Sequence, residues 1–161
     1  MGSEETHKPA FVIRDFNAEE HAAEVAEILL EAREAASWSG EALRETMLVP
    51  GVCALVSERG VAISGFVVGR RVLDEAEILN LAVKAGMRRQ GEGRDLVGAL
   101  LAEFSRAKVS RVFLEVRESN SGAIAFYTGL GFRAVGVRKD YYQAPREAAT
   151  VMELWLSKST E

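Results

Sequence analysis

One cysteine, two histidines and three prolines are all that this chain of 161 residues carries of the side chains that staple, ligate metals or interrupt elements. Cys53 can form no disulfide within the chain, and in the apolar run Val52-Cys53-Ala54-Leu55-Val56 it reads as a small core residue. His7 and His21 lie far from it in sequence, so no zinc-ligand cluster is expected and no metal is assigned. No Gly-x-Ser-x-Gly elbow exists, because Ala62 stands where the first glycine would precede Ser64. No apolar run is long enough to cross a membrane and no secretory h-region is present. A cytoplasmic protein without a membrane partner is therefore expected. Met1 to Thr6 matches a myristoylation pattern formally, but it lacks a basic patch, and residues 1–9 are read as a disordered leader. Acidic residues outnumber basic ones, 24 against 20. The net charge of −4 disfavours general nucleic-acid binding.

What is present fits one domain, assigned to residues 10–158. A chain of this size buries about 70% of its unfolded surface and needs no staple. Charge is unevenly placed. Residues 1–50 hold 11 acidic against 4 basic residues, and the rest hold 13 against 16. An acidic half and a basic remainder suit two ligands of opposite sign, a cationic acceptor and an anionic donor. Equally, the acidic residues of Glu19 to Glu34 solvate a surface helix.

Periodicity predicts the order β-α-α-β-β-β-α-β-α-β-β. Phe11 to Arg14 is β-like, and Asn17 with Glu20 resembles a capping box opening a helix to about Ala35. A second helix runs from Glu41 to Leu48. Strands are expected at Val52–Ser57 and Val61–Val72, joined through Glu58-Arg59-Gly60. Others are expected at Ile78–Val83, Arg111–Val116, Phe132–Arg138 and Thr150–Leu156. Helices are expected after the glycine loop to about Ala107 and from Asn120 to Leu130, with Gly131 at the C′ position. The strand–helix–strand unit from Ile78 to Val116 implies a parallel pair inside a mostly antiparallel sheet, with the ligand crevice at its carboxyl ends. The fold class is mixed α/β.

The segment from Leu79 to Arg94 organises this unit. An apolar strand runs into Lys84-Ala85-Gly86-Met87-Arg88-Arg89-Gln90-Gly91-Glu92-Gly93-Arg94, and Val97, Leu100, Leu101 and Phe104 then recur at helical spacing. Unpaired N–H groups at a helix N-terminus, with Arg88, Arg89 and Arg94 beside them, make a site for a phosphate or pyrophosphate. A dinucleotide fingerprint fails because Leu96 occupies the third glycine position, and a P-loop fails because Glu92-Gly93 replace Lys-Ser/Thr. The bland alternative is a helix after a flexible turn, with solvated arginines.

Glu115 lies in the otherwise apolar Val112-Phe113-Leu114-Glu115-Val116, on the side of Phe113. A carboxylate in a partly dry strand suits a general base, though pairing with Arg111 or Arg117 is an equal alternative. Tyr127 could donate a proton to a leaving thiolate or simply pack on its helix stripe. Asn120 could cap that helix. Tyr141, Tyr142 and Trp38 could line an acceptor pocket or cover a core edge.

Taken together, these segments resemble the GNAT acetyltransferases. Arg88-Arg89-Gln90-Gly91-Glu92-Gly93 resembles their acetyl-CoA loop, Arg/Gln-x-x-Gly-x-Gly/Ala. The resemblance extends from about Phe11 to Leu156 and is sharper for the RimI-type ribosomal protein alanine N-acetyltransferases. It is carried by Val72-Leu73-Asp74-Glu75-Ala76, Asn80-Leu81-Ala82-Val83, Leu114 to Asn120, Ala125-Phe126-Tyr127, Leu130-Gly131-Phe132 and Tyr141-Tyr142. It implies a GNAT fold and acetyl transfer from acetyl-CoA to a protein α-amine, typically the N-terminal alanine of small-subunit ribosomal protein 18. It also implies that Leu81, Ala82 and Val83 hold the pantetheine arm and thioester carbonyl. By the same likeness Arg88, Arg89, Gln90, Gly91, Glu92, Gly93 and Arg94 hold the pyrophosphate, and Asn120 touches the cofactor. Glu115 would accept the proton and Tyr127 donate one, while Trp38, Tyr141 and Tyr142 border the peptide site. The expected partners are acetyl-CoA and a ribosomal protein N-terminus, with the enzyme a monomer or weak dimer. A GNAT acting on small amines or lysine side chains, and a CoA-binding module without catalysis, are the alternatives. Two residues depart from the pattern. Glu92 is expected to put a negative charge beside the pyrophosphate where relatives carry an apolar residue. Ser37-Trp38-Ser39 replaces Pro-Trp-Ser on the acceptor side.

Overall fold

A computed structural model describes residues 10–32 and 35–157. The expected leader over residues 1–9 and the end of the assigned domain at Lys158 lie outside them. The elements are β1 (Val12–Asp15), α1 (Ala18–Glu31), α2 (Gly40–Met47), β2 (Val52–Arg59), β3 (Ala62–Val72) and β4 (Glu75–Val83). After a 3-10 turn at Ala85–Met87 come α3 (Glu92–Arg106), β5 (Arg111–Arg117), α4 (Ser121–Gly129), β6 (Arg133–Gln143) and β7 (Arg146–Trp155). The expected order holds. The strands form one sheet in the order β1-β2-β3-β4-β5-β7-β6, antiparallel throughout except for β4 beside β5.

Each face of the sheet carries its own core. On one, Leu96, Val97, Leu100 and Phe104 of α3 pack with Ile78, Val112, Leu114 and Met152, and Tyr127 of α4 joins them. On the other, Val25, Ile28 and Leu29 of α1 and Leu43 of α2 pack on Val56, Phe66, Val68 and Ala82. The close seating of α3 depends on Gly65. A Cβ there would stand 2.6 Å from Ser57 Oγ and 2.9 Å from Leu96 Cδ1, so any side chain would push the helix off the sheet.

Several boundaries differ from the sequence reading. Helix α1 ends at Glu31, because Ala32 turns to extended backbone (φ −85°, ψ 93°). Asn17 caps it by accepting from the N–H groups of Glu19 and Glu20, but the reciprocal acceptor for Asn17 N–H is His21 Nδ1 at 3.0 Å instead of Glu20. The connection expected at Glu58-Arg59-Gly60 is strand up to Arg59, which pairs with Ala62. Gly60, at φ +63°, allows a turn of two residues, and Val61 sits at its tip fully exposed. The last two strands are longer than expected and form a hairpin turning at Ala144-Pro145.

Candidate functional site

The parallel ladder between β4 and β5 is short. Only Glu75, Ala76 and Glu77 have β5 partners, opposite Arg111, Val112 and Phe113. Beyond that point the two strands part. Leu79 is an extra residue in β4, because Gly69 pairs with Ile78 while Val68 pairs with Asn80. Such a bulge bends a strand and reverses its facing. Accordingly Ile78 belongs to the core under α3, whereas Ala82 belongs to the core under α1 and α2. Leu81, Ala82 and Val83 keep their β3 partners and have none in β5. Alternate backbone groups along this stretch therefore face a gap in the sheet.

The basic loop closes one end of that gap. Arg88 Nε donates to the carbonyl of Val83 at 3.3 Å. Arg89 (φ +62°) and Gly91 (φ +83°) are both left-handed, and α3 starts at Glu92 with no side chain capping it. Its first N–H groups are thus open to an anion, with exposed Arg88, Arg89 and Arg94 around them. A Cβ at Gly93 would lie 3.6 Å from Val83 and 3.7 Å from Phe126, which places this helix end between β4 and α4.

Glu92 does not do what its charge suggested. Its side chain is wholly buried and paired with Arg59 at 3.0 Å, with Ser64 Oγ as a further hydrogen-bond partner. The expected negative charge beside a pyrophosphate is neutralised beneath the helix, because Arg59 reaches it from the end of β2. Gln90 also turns to Arg59, which donates to Gln90 Oε1 at 3.1 Å.

Glu115 sits on the opposite face of β5 from Leu114, as alternation predicts. Its arginine partner is Arg138 of β6, at 3.2 Å, in place of the Arg111 or Arg117 considered from sequence. The other carboxylate oxygen, Oε2, is buried and has no hydrogen-bond partner among the described residues. Leaving a buried acceptor unpaired costs about 1–3 kcal/mol. Glu115 lines a cavity of about 380 Å³ with Glu77, Phe113, Arg70, Arg138 and Val151.

Tyr141 and Tyr142 adjoin it. The Tyr141 phenol is pushed up to about 12, first by the Glu115 carboxylate beside it and then by burial. Tyr142 donates to the main-chain carbonyl of Glu115 at 3.4 Å, and Arg117 lies 4.3 Å from its ring centre. A register shift between Arg138 and Tyr142, with Asp140 at φ +56°, brings this pair over β5.

Tyr127 is buried on the other face, edge-on to Phe126 and Phe132 with centroids 5.0 and 5.5 Å away. Burial raises its phenol well above the usual value, so it is a neutral donor at any working pH. Glu115 and Tyr127 thus lie on opposite faces of the sheet. Asn120 caps α4 through Ala123 N–H at 3.0 Å, the plainer of its two expected roles. Trp38 does not line the cavity. It packs half-buried against the core of α1 and α2, in a loop tied to the bulge by Asn80 Nδ2 donating to Ala36 O at 2.8 Å.

Sequence reasoning missed Glu77, Arg138 and Glu147. Glu147 accepts from Ser119 N–H and pairs with Arg117 at 3.3 Å, holding the turn between β5 and α4; the Ser119 hydrogen bonds keep its carboxyl below the usual range. Glu77 is raised by burial first and by Glu115 second. The folded chain therefore holds that proton more tightly than the unfolded chain. The charge costs stability above the folded pKa, and the cost vanishes as pH falls through the unfolded value. Replacing Glu77 with Gln is expected to raise Tm slightly at pH 7, with the gain gone by about pH 3.5. Thermal melts across that range check it, and a gain independent of pH would contradict the cause.

The profile of the acetyltransferase (GNAT) family matches residues 14–132. The [ribosomal protein bS18]-alanine N-acetyltransferase of Escherichia coli (strain K12) is 42% identical over 96 residues, covering 58% of this chain. That match spans 65% of the relative's own length. A crystal structure of the ribosomal-protein-S18-alanine N-acetyltransferase from Escherichia coli superposes with a TM-score of 0.81 at 32% identity, covering 94% of this chain and 97% of that one. Arabidopsis thaliana NAA60 in complex with acetyl-CoA shares the fold, with a TM-score of 0.79 at 17% identity over 91% of this chain and 98% of that one. A family match over most of the chain agrees with the resemblance of the loop. The chain belongs to the GNAT acetyltransferase family.

Proposed function

We propose that the protein transfers an acetyl group from acetyl-CoA to the N-terminal α-amine of a protein, the N-terminal alanine of ribosomal protein 18 being the favoured acceptor. The observation that carries this reading is the gap between β4 and β5, with an uncapped, arginine-flanked helix N-terminus at its end and Glu115 on its far face. The names of the E. coli relatives support the acceptor class.

The residues present fit such a donor. The α3 N-terminus with Arg88, Arg89 and Arg94 would take the pyrophosphate, and the free edge of Leu81 to Val83 would take the amide-bearing arm by strand-like hydrogen bonds. Asn120 stands at the neighbouring helix start. The acceptor amine would enter from the cavity holding Glu115, beside Tyr141 and Tyr142. An α-amine has a pKa of about 7.7–8.0, so its deprotonation near neutral pH needs little driving force. As the amine nitrogen bonds to the thioester carbon, its proton passes to Glu115. The carbon–sulfur bond then breaks, and the thiolate takes the proton of Tyr127.

Replacing Tyr127 with Phe is expected to lower kcat by about 10²-fold with the affinity for acetyl-CoA unchanged. Steady-state kinetics with equilibrium binding separate the two, and a loss confined to affinity would remove the acid role.

The direct test is incubation of the protein with acetyl-CoA and short peptides of differing first residue, read by intact mass. A gain of one acetyl group on the α-amine of an Ala-initiated peptide is expected. Acetylation only of polyamines or of lysine side chains would replace this reading with a small-amine GNAT. CoA binding with no turnover on any amine would reduce the protein to a binding module.

A further inference from the structure

We propose that Arg59 is a positioning residue for the anion loop, clamping Gln90 and Glu92 on either side of the left-handed Gly91 so that the loop is preformed for the CoA pyrophosphate. The inference rests on the acetyl-CoA reading. It starts from a loop that has little packing of its own. Arg88, Arg89 and Gln90 are exposed, and a Cβ placed on Gly86 or Gly91 would meet nothing within 4 Å. Two of three consecutive residues, Arg89 and Gly91, are in the left-handed region, which a non-glycine residue such as Arg89 occupies at a cost. Between them stands Gln90. Something outside the loop must hold this shape.

Arg59 does so with a single guanidinium. Its Nη2 donates to Gln90 Oε1 at 3.1 Å and to Glu92 Oε2 at 3.0 Å, and its Nε approaches the same carboxylate oxygen at 3.3 Å. The rigid, always charged guanidinium thereby engages both partners at once. The far side of Glu92 is held by Ser64 of β3, whose hydroxyl also lies 3.4 Å from that of buried Ser57. Arg59 is itself the last residue of β2, registered against Ala62 across a tight turn. The loop is thereby fastened to the β2–β3 hairpin and not only to β4, from which it emerges. Stability alone does not explain the arrangement. A buried ion pair is often no better than apolar residues of the same size. Its distinctive product here is geometry at the mouth of the anion site, with the carboxylate neutralised from below.

The test replaces both partners, Arg59→Met with Glu92→Leu, so that no buried charge is left alone. Free CoA binding is measured by calorimetry, together with kcat and KM for acetyl-CoA and for an Ala-initiated peptide. The double variant is expected to keep most of its Tm, to bind CoA about tenfold more weakly, and to raise KM for acetyl-CoA alike, with kcat and the peptide KM unchanged. Gln90→Ala, an exposed change that leaves the buried pair intact, is expected to give about a threefold loss, and it carries the test if the double variant does not fold. Wild-type affinity for CoA in the double variant, or in Gln90→Ala if only that one folds, overturns the clamp. A wild-type chain without affinity for CoA overturns the acetyl-CoA reading instead and takes the clamp with it.

Discussion

Glu115→Gln is expected to lower kcat by about 10²–10⁴-fold while acetyl-CoA binds as before. The substitution keeps the shape of the side chain and a hydrogen-bonding partner for Arg138, so the fold of β5 and the adjoining Tyr141-Tyr142 pair should persist. What it removes is a place for the proton. In the wild-type chain one carboxylate oxygen is engaged by Arg138 and the other is buried without a partner among the described residues. That second oxygen can accept a proton without first breaking an ion pair. The exposed Arg138 offsets the charge of Glu115 without covering it. Single-turnover assays on an Ala-initiated peptide, paired with CoA titrations, measure chemistry and binding apart. Full activity in the glutamine variant would show that the amine loses its proton elsewhere, with Glu77 in the same cavity as the next carboxylate to replace. Partial recovery of the variant at high pH is expected, since an α-amine deprotonated by solvent needs no base.

The second large effect concerns stability. Arg59→Met made alone is expected to cost about 3–5 kcal/mol, because it leaves the fully buried carboxylate of Glu92 without its cation. Ser64 and Ser57 supply hydroxyls there, and among the described residues no other positive group pairs with Glu92. In a chain of this length the loss corresponds to a fall in Tm on the order of 10 °C. Adding Glu92→Leu to the same chain should restore most of it, since apolar groups of similar volume fill such a site without a desolvation cost. Calorimetric melts of the two single variants and the double variant form a cycle. Additive losses would mean that Arg59 and Glu92 do not interact as the distances indicate.

Much of this site could be read along the chain because it is local. The anion loop is a strand end, a glycine turn and a helix start within one continuous segment, and hydrophobic periodicity marks all three. The side of β5 that Glu115 occupies follows from strict alternation over Val112 to Val116. The cap at Asn17 and the glycine after α4 follow from backbone geometry that few residue types satisfy. Where the reading failed, contacts between distant segments decided. By the family resemblance Glu92 was expected to set a negative charge beside the pyrophosphate, yet its side chain pairs with Arg59, 33 residues earlier. Arg59 in turn was placed in a turn, because nothing local shows that a strand will continue to Gly60. Arg138 displaced Arg111 and Arg117 as the partner of Glu115, because β6 folds back over β7 with a register shift that no local pattern announces. Trp38 was grouped with the tyrosines by likeness, and in the fold it packs half-buried against the core of α1 and α2.

By itself the sequence determined the order of elements, the parallel pair within an antiparallel sheet, the loop suited to an anion, and the face on which Glu115 stands. These depend on short-range sterics, periodicity and backbone chemistry, which act over a few residues. Only the tertiary structure decided that β4 and β5 part after three residue pairs, that Leu79 reverses the facing of β4, and that the charge of Glu92 is cancelled beneath the helix. Those outcomes depend on register and on which charges meet across the fold. Low-dielectric burial makes such meetings decisive, since a buried charge must find its counterpart or the structure does not hold.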